Sequence, residues 1–229
     1  MNDIQRYQTC LLQGNWFSSL PKALQQALIS LAQVQHLEVG QVLFRRGDKP
    51  CGLYAVVEGG VRVGAVSSSG KEALLSRVEP PYWLGEISLF DGQPRTHDVF
   101  ADSATTLLWI SQSKLLALLD QEPRYWRDFA LLMSQKLRQT FVHLEDMSLL
   151  PAPIRLARRL LAIANNYGEG GQPRLLISLP QEQLALMLAI SRQTTNQILR
   201  ELESQGILRL NYAEIEIVDL KRLQQAAQL

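Results

Sequence analysis

The chain has 229 residues, 46% hydrophobic and 20% charged, with a formal net charge of +1. This ordinary globular composition is enough for two modest cores. It excludes a uniformly basic nucleic-acid binder, since residues 151–229 hold nine Lys and Arg against seven Asp and Glu. Any case for DNA must therefore rest on pattern. No apolar run approaches the ~20 residues that span a membrane. The opening MNDIQRYQTC lacks the basic stretch and apolar core of a secretory signal, so a cytoplasmic location is expected. Cys10 and Cys51 lie outside any CxxC or Cys/His cluster, which argues against a zinc or iron–sulfur centre built within one chain.

Residues 16–35 predict a short helix, with Pro21 in its first turn and Leu24, Leu28 and Leu31 at helical spacing. Residues 37–110 then alternate glycines with short apolar runs, the rhythm of strands and tight turns. Val61, Val63 and Ala65 alternate with Arg62 and Gly64 as in a half-buried strand. Gly59-Gly60, between LYAVV and VRV, predicts a hairpin, and Ser67-Ser68-Ser69-Gly70 a further turn. The region reads as a compact antiparallel barrel or roll.

Helix takes over from Ser113 to about Ser148, with a long segment starting near Pro123. Phe129, Leu132, Met133, Leu137, Thr140, Phe141, Leu144 and Met147 form a stripe at helical spacing. A stripe of about seven turns packs either on its own domain or on a copy of itself. Pro151-Ala152-Pro153 interrupts it as a hinge. Beyond lie a helix at 154–166, a glycine loop at 168–171, a short strand at 175–179, helices at 181–188 and 191–204, and a two-stranded wing around Asn211-Tyr212. Three units follow: 1–122, 123–150 and 151–229.

The strongest signal is LPQEQLALMLAISRQTTNQILRELESQGIL. Leu184 and Leu188 lie one turn apart, Ala185 permits close helix approach, and Ser191 is an N-cap for the next helix. In that helix Thr195, Ile198, Leu199 and Leu202 share an inner face, while Arg192, Gln193, Asn196, Gln197 and Arg200 share the outer one. Arg bonds guanine O6 and N7 in pairs, and Asn or Gln bonds adenine N6 and N7, so this outer face suits a DNA major groove. One such helix alone also fits a solvated surface helix. The succession of helix, strand, two short helices, glycine and hairpin favours a winged helix-turn-helix.

In the β-rich region, LGEISLFDGQPRTHDVFA supplies a second constellation. Gly85 allows close backbone approach, Glu86 can accept from a sugar hydroxyl, and Arg95-Thr96 can clamp a phosphate. Spacing alone also fits a surface salt bridge.

With Gly85-Glu86-Ile87, Pro94-Arg95-Thr96, the long helix ending near Met147, and LPQEQLA…ISRQTTNQILRELE…GIL, the chain resembles the CRP/FNR superfamily over nearly its whole length. The resemblance implies an α+β protein: an N-terminal antiparallel β-roll of the cyclic-nucleotide-binding fold, a long dimerisation helix, and a C-terminal winged helix-turn-helix. It implies a homodimer on a two-fold promoter site in double-stranded DNA, contact with RNA polymerase, no membrane association, no enzymatic activity and no required cofactor. Glu86 would bind the ribose 2′-hydroxyl, Arg95 and Thr96 the cyclic phosphate, and Thr140 an adenine across the dimer. Thr96 replaces the usual serine, His97 stands where alanine is usual, and Phe141 replaces a serine at the adenine. Cyclic AMP is the first-choice effector, with cyclic GMP, another ligand or none as alternatives. A cyclic-nucleotide module acting on a protein partner is the reading from another class. Arg192 matches the family's guanine-reading arginine and Thr194 a threonine, while Gln193 replaces a Glu and Gln197 an Arg. Ser191 and Glu182-Gln183 fall where phosphate contacts are made.

His36, His97 and His143 show no metal-ligand spacing and read as surface or packing residues. Arg155, Arg158 and Arg159 read as a solvated helix face, with phosphate or polymerase contact as the lesser alternative. Trp16, Trp83, Trp109 and Trp126 read as packing anchors.

Overall fold

The computed structural model describes residues 5–66 and 72–228. Three short helices, α1 (Gln5–Leu11), α2 (Asn15–Ser19) and α3 (Lys22–Leu31), lead into strands β1 (Gln33–Leu37), β2 (Val42–Phe44), β3 (Gly52–Glu58), β4 (Val61–Val66), β5 (Glu72–Val78) and β6 (Tyr82–Leu84). Helix α4 (Ile87–Asp91) intervenes before β7 (Asp98–Ala101) and β8 (Thr105–Ser111). The strands form two four-stranded antiparallel sheets, β1-β8-β3-β6 and β2-β7-β4-β5. Tyr54, Val56, Val61, Val99 and Leu107 fill the space between them.

Strand β3 is buried on both faces, which explains why LYAVV is apolar without alternation. Tyr54 and Val56 point into the roll, while Leu53, Ala55 and Val57 meet the helices outside. That outer core gathers Leu24, Leu28, Trp83, Leu108 and Phe129. Trp16 and Trp83 anchor it edge to face at 5.1 Å.

Two expectations for the roll need correction. Gly59-Gly60 does not close a hairpin, because β3 and β4 belong to different sheets. Gly59 instead turns the chain between sheets at φ +75°, where a Cβ would stand 2.2 Å from the Ala104 carbonyl oxygen. The alternation in β4 holds only at its start: a register shift between Val63 and Gly64 buries Gly64 and leaves Ala65 half-buried. The turn expected at 67–70 lies outside the described residues. The single helix expected at 16–35 is two helices and the start of β1, broken where Leu20 is extended and Pro21 caps α3.

After β8 come α5 (Gln112–Gln121), a 3₁₀ turn at Pro123–Tyr125, and the 24-residue α6 (Trp126–Leu149). The apolar stripe of α6 divides. Phe129 and Leu132 are buried against the roll, whereas Leu137, Phe141 and Leu144 are more than half exposed.

The chain breaks at Leu150-Pro151, and α7 (Ala152–Ala164) begins with Pro153 in its first turn. Then follow β9 (Leu176–Ile177), α8 (Gln181–Leu188), α9 (Arg192–Ser204), β10 (Leu208–Asn211), β11 (Glu214–Ile217) and α10 (Leu220–Ala226). The strands form one sheet, β10-β11-β9. Leu156, Leu160, Leu184, Leu199 and Leu202 make the core, joined by Leu74 from β5. Both α1 and α10 went unanticipated; α10 is capped by Asp219, whose carboxylate accepts from Arg222 N at 3.0 Å.

Candidate ligand cavity and nucleic-acid interface

A cavity of about 280 Å³ opens between the roll and α6, and Gly85, Glu86, Arg95, Thr96 and Thr140 all line it. The structure thus brings together every ligand residue singled out in the sequence. Gly85 sits at φ +101°, and a Cβ there would come within 2.6 Å of the Gly52 carbonyl and 2.9 Å of Arg95 Nη1. The glycine lets the Arg95 guanidinium lie against the backbone. Arg95 is 4% exposed and donates to Gly85 O at 3.0 Å, Gly52 O at 2.6 Å and Cys51 Sγ at 3.1 Å. Phe44 lies beneath it, 4.4 Å from the ring centroid. No carboxylate pairs with it among the described residues, and its buried Nε has no partner there. A buried cation held by two carbonyls, a thiol and an aromatic face, with no anionic partner among the described residues, is an unbalanced charge that an anion would neutralise.

Glu86, also buried, is already engaged. Lys136 of α6 donates from Nζ to Glu86 Oε2 at 2.9 Å and to the Trp83 carbonyl, and lies 4.7 Å from the Tyr82 ring centroid. Burial works against this ammonium, but Glu86 and Tyr82 outweigh it and hold the lysine pKa above its ordinary value. Thr140 returns its hydroxyl to the Lys136 carbonyl at 3.0 Å and remains exposed at the cavity edge. Thr96 Oγ1 stands 2.8 Å from His97 Nδ1. Lys136 was missed in the sequence; its spacing of four from Thr140 was the available signal.

The C-terminal unit also reaches the cavity. Arg159 and Tyr167 line it. Arg159 Nη1 donates to the Leu75 carbonyl at 3.3 Å, and Nη2 lies 2.7 Å from His143 Nε2. Tyr167 packs edge to face on Tyr82 at 6.4 Å, and its hydroxyl accepts from Arg77 N at 3.4 Å. Asn166 donates to the carbonyls of Glu79 and Pro81, both at 2.9 Å. Two expectations are thereby corrected. Arg159 is buried and Arg155 and Arg158 are half-buried, so they are not a solvated face. His97 and His143, expected only as surface or packing residues, border the cavity. No local signal marked Arg159 or Tyr167, because their contacts are with distant strands.

In the C-terminal unit, Ser191 caps α9 as expected, its Oγ accepting from Thr194 N at 3.0 Å. Thr195, Ile198, Leu199 and Leu202 are buried beneath α9, while Arg192, Gln193, Gln197 and Arg200 are exposed. Thr194 and Asn196 are intermediate; Asn196 Nδ2 donates to Gln181 Oε1 at 2.8 Å, joining α9 to α8. Arg200 pairs with Glu203 at 2.8 Å, one turn away. Tyr212, at the tip of the wing, is 98% exposed. The expected wing is thus in place beside an expected recognition helix.

Comparison with known proteins agrees with this geometry. Residues 34–122 match the cyclic nucleotide-binding domain family and residues 154–226 the Crp-like helix-turn-helix domain family. The chain is 28% identical over 219 residues to the CRP-like cAMP-activated global transcriptional regulator of Mycobacterium tuberculosis, covering 95% of this chain and 98% of that one. It is 29% identical over 188 residues to the cyclic AMP receptor protein of Thermus thermophilus, covering 82% and 85%. Among solved structures, FixK2 of Bradyrhizobium japonicum shares the fold with a TM-score of 0.76 at 19% identity, over 86% of this chain and 98% of that one. A nucleotide-binding roll joined to a helix-turn-helix defines a DNA-binding transcription regulator. With these two domains and these relatives, the chain is a CRP/FNR-type transcription regulator.

The imidazoles at the cavity give a pH dependence with a definite sign. Burial, then Arg46, depresses the pKa of His97 against an opposing Asp98. Burial, then Arg159 and Arg155, depresses that of His143 against an opposing Asp146. Below about pH 6.5 the unfolded chain takes up these protons before the folded one does, so stability falls with pH in that window. The double variant His97→Gln/His143→Gln is expected to lose less melting temperature than the wild type between about pH 7.5 and 5.5. Calorimetric melts of both proteins measure the difference, in which other titrating groups cancel.

Proposed function

We propose that the roll cavity takes a cyclic nucleotide, cyclic AMP first, and that its occupancy controls sequence-specific DNA binding by a homodimer. The observation carrying the ligand reading is the buried Arg95 guanidinium, without a carboxylate partner among the described residues, beside Thr96 in a cavity. Arg95 and Thr96 would hold the cyclic phosphate. Glu86 would accept from the ribose 2′-hydroxyl once Lys136 yields, Gly85 lets the backbone approach, and Thr140 would contact the base. The relatives in Mycobacterium tuberculosis and Thermus thermophilus, a cAMP-activated regulator and a cyclic AMP receptor protein, support the choice. A ligand controls DNA binding only by preferring the DNA-competent state. The Lys136–Glu86 ion pair favours one second reading: the same DNA-binding role with an effector that leaves this pair intact, or with none.

The dimer reading rests on α6, where Leu137, Phe141 and Leu144 recur at spacings of four and three, exposed. Such a face buries itself against a copy. Two α9 helices would then enter successive major grooves of a two-fold promoter site about 34 Å apart. Ser191, Arg192, Gln193, Thr194, Asn196, Gln197 and Arg200 form the reading surface. RNA polymerase is the partner such a regulator would engage, and the cytoplasm its place. No helix among the described residues is long and apolar enough to cross a membrane. The curated relatives are regulators, and we assign this chain no catalysis and no required cofactor.

Titration calorimetry with cyclic AMP is expected to show saturable micromolar or tighter binding that Arg95→Ala weakens by about 100-fold or more. Binding unchanged by that substitution would refute the pocket. In a selection from random duplexes, Arg192→Ala is expected to lose about 1–3 kcal/mol of discrimination at one base pair while keeping salt-sensitive binding. Retained specificity would remove α9 as the reading helix. Phe141→Glu is expected to sediment as a monomer where the wild type sediments as a dimer, since it places like charges within an apolar seam.

A further inference from the structure

The nucleotide cavity does not end at α6. A second cavity of about 430 Å³ lies between α6 and α7, and Gln139, His143, Arg159 and Tyr167 line both. Its charged lining is unbalanced: Arg138, Arg155, Arg158 and Arg159 face one carboxylate, Asp146. That carboxylate is engaged by Arg158 at 2.6 Å. Arg159 is 7% exposed and, among the described residues, meets the Leu75 carbonyl, the His143 ring and the Tyr167 hydroxyl, with no carboxylate. Arg155 Nη1 donates to Met147 Sδ at 3.2 Å, a thioether and hence a weak acceptor. Its buried Nε has no partner among the described residues. Two partly or fully buried guanidiniums with no carboxylate partner among the described residues repeat what Arg95 shows in the first cavity. Buried cations are normally paired, and the fork of an arginine suits phosphate. Val142, Leu161 and Leu188 supply apolar walls for the body that carries the charge.

We propose that this hinge cavity is a second anion subsite, centred on Arg155 and Arg159, that takes a phosphate group. The complete effector site is then a two-phosphate cleft running from Arg95 in the roll to Arg155 in the C-terminal unit. The phosphate comes either from a second phosphodiester of the effector itself or from a separate phosphorylated molecule. The inference rests on reading the first cavity as a nucleotide site and adds to it the subsite that connects sensor and DNA-binding unit. Arg138 stands on α6 and Arg155 on α7, so an anion between them ties the two elements across the break at Leu150-Pro151.

Calorimetry on the full chain, with cyclic AMP, cyclic diadenylate and inorganic pyrophosphate as probes, separates the cases. If one effector supplies both phosphates, cyclic diadenylate binds more tightly than cyclic AMP, and Arg155→Gln weakens only the dinucleotide, by about 10-fold or more. If the second phosphate is a separate molecule, pyrophosphate binds beside saturating cyclic AMP, and Arg155→Gln removes that binding alone. Arg138→Ala, at an exposed position, repeats the direction without risk to folding. The subsite is refuted if the dinucleotide gains nothing over cyclic AMP and pyrophosphate does not bind beside it, or if Arg155→Gln shifts every probe equally. Arg155-dependent pyrophosphate binding with no binding of either nucleotide would uphold the subsite and overturn the nucleotide reading. Silence from all three probes would overturn both.

Discussion

The ion pair between Lys136 and Glu86 sets the phase of the long helix, and much of the molecule follows from that phase. With Lys136 drawn into the roll beneath Tyr82, Phe129 and Leu132 fall on the outer core two turns and one turn earlier. Gln139, Thr140 and His143 then lie along the cavity, and Leu137, Phe141 and Leu144 are left outside. A buried ion pair is weak evidence for stability, because desolvation offsets much of its attraction. Its effect here is geometric. Removing either partner would strand the other's charge in an apolar site, so the helix is held in one rotation by the cost of every alternative.

The cavity combines that engaged carboxylate with an unbalanced arginine. Arg95 is shaped from three sides: carbonyls of Gly52 and Gly85 take two of its nitrogens, Phe44 takes its face, and the glycine at 85 makes the approach sterically possible. Such an arrangement fixes the guanidinium in place, which is the preorganisation that the proposed anion site would use. The neighbouring roof is different in kind. Arg159, Tyr167 and Asn166 belong to the C-terminal unit yet bond to strands and loops of the roll. Residues of both units therefore line the cavity, which is the contact that the proposed coupling of ligand to DNA binding would need.

Helix α9 depends far less on distant parts of the chain. Its cap, its buried face and its exposed face lie within fourteen consecutive residues, from Ser191 to Ser204. Its main external ties are the Asn196–Gln181 bond to α8, the bond that Glu203 accepts from Leu210 N of β10 at 2.8 Å, and the packing of its buried face on both elements. These contacts fix the angle between α8 and α9 and leave Arg192, Gln193 and Gln197 exposed.

What was legible in the sequence follows the same division. Features written in local spacing came through: α8 and α9 with the Ser191 cap, the wing around Tyr212, and the roll. Amphipathic periods, caps and turn residues act over a few positions, so the sequence itself determined them. The stripe on α6 was legible as apolar, but periodicity cannot tell a core face from an exposed one. Only the tertiary structure divided it between Phe129 and Leu132 inside and Phe141 and Leu144 outside. The same limit explains the misread turn at Gly59, whose glycine answers to the Ala104 carbonyl across the roll, and the misread Arg159 of α7, which meets Leu75 and His143 from other parts of the chain. Partners separated by tens of residues leave no spacing in the sequence, and it is such partners that decided which strands share a sheet, which cations are buried, and where the cavity lies.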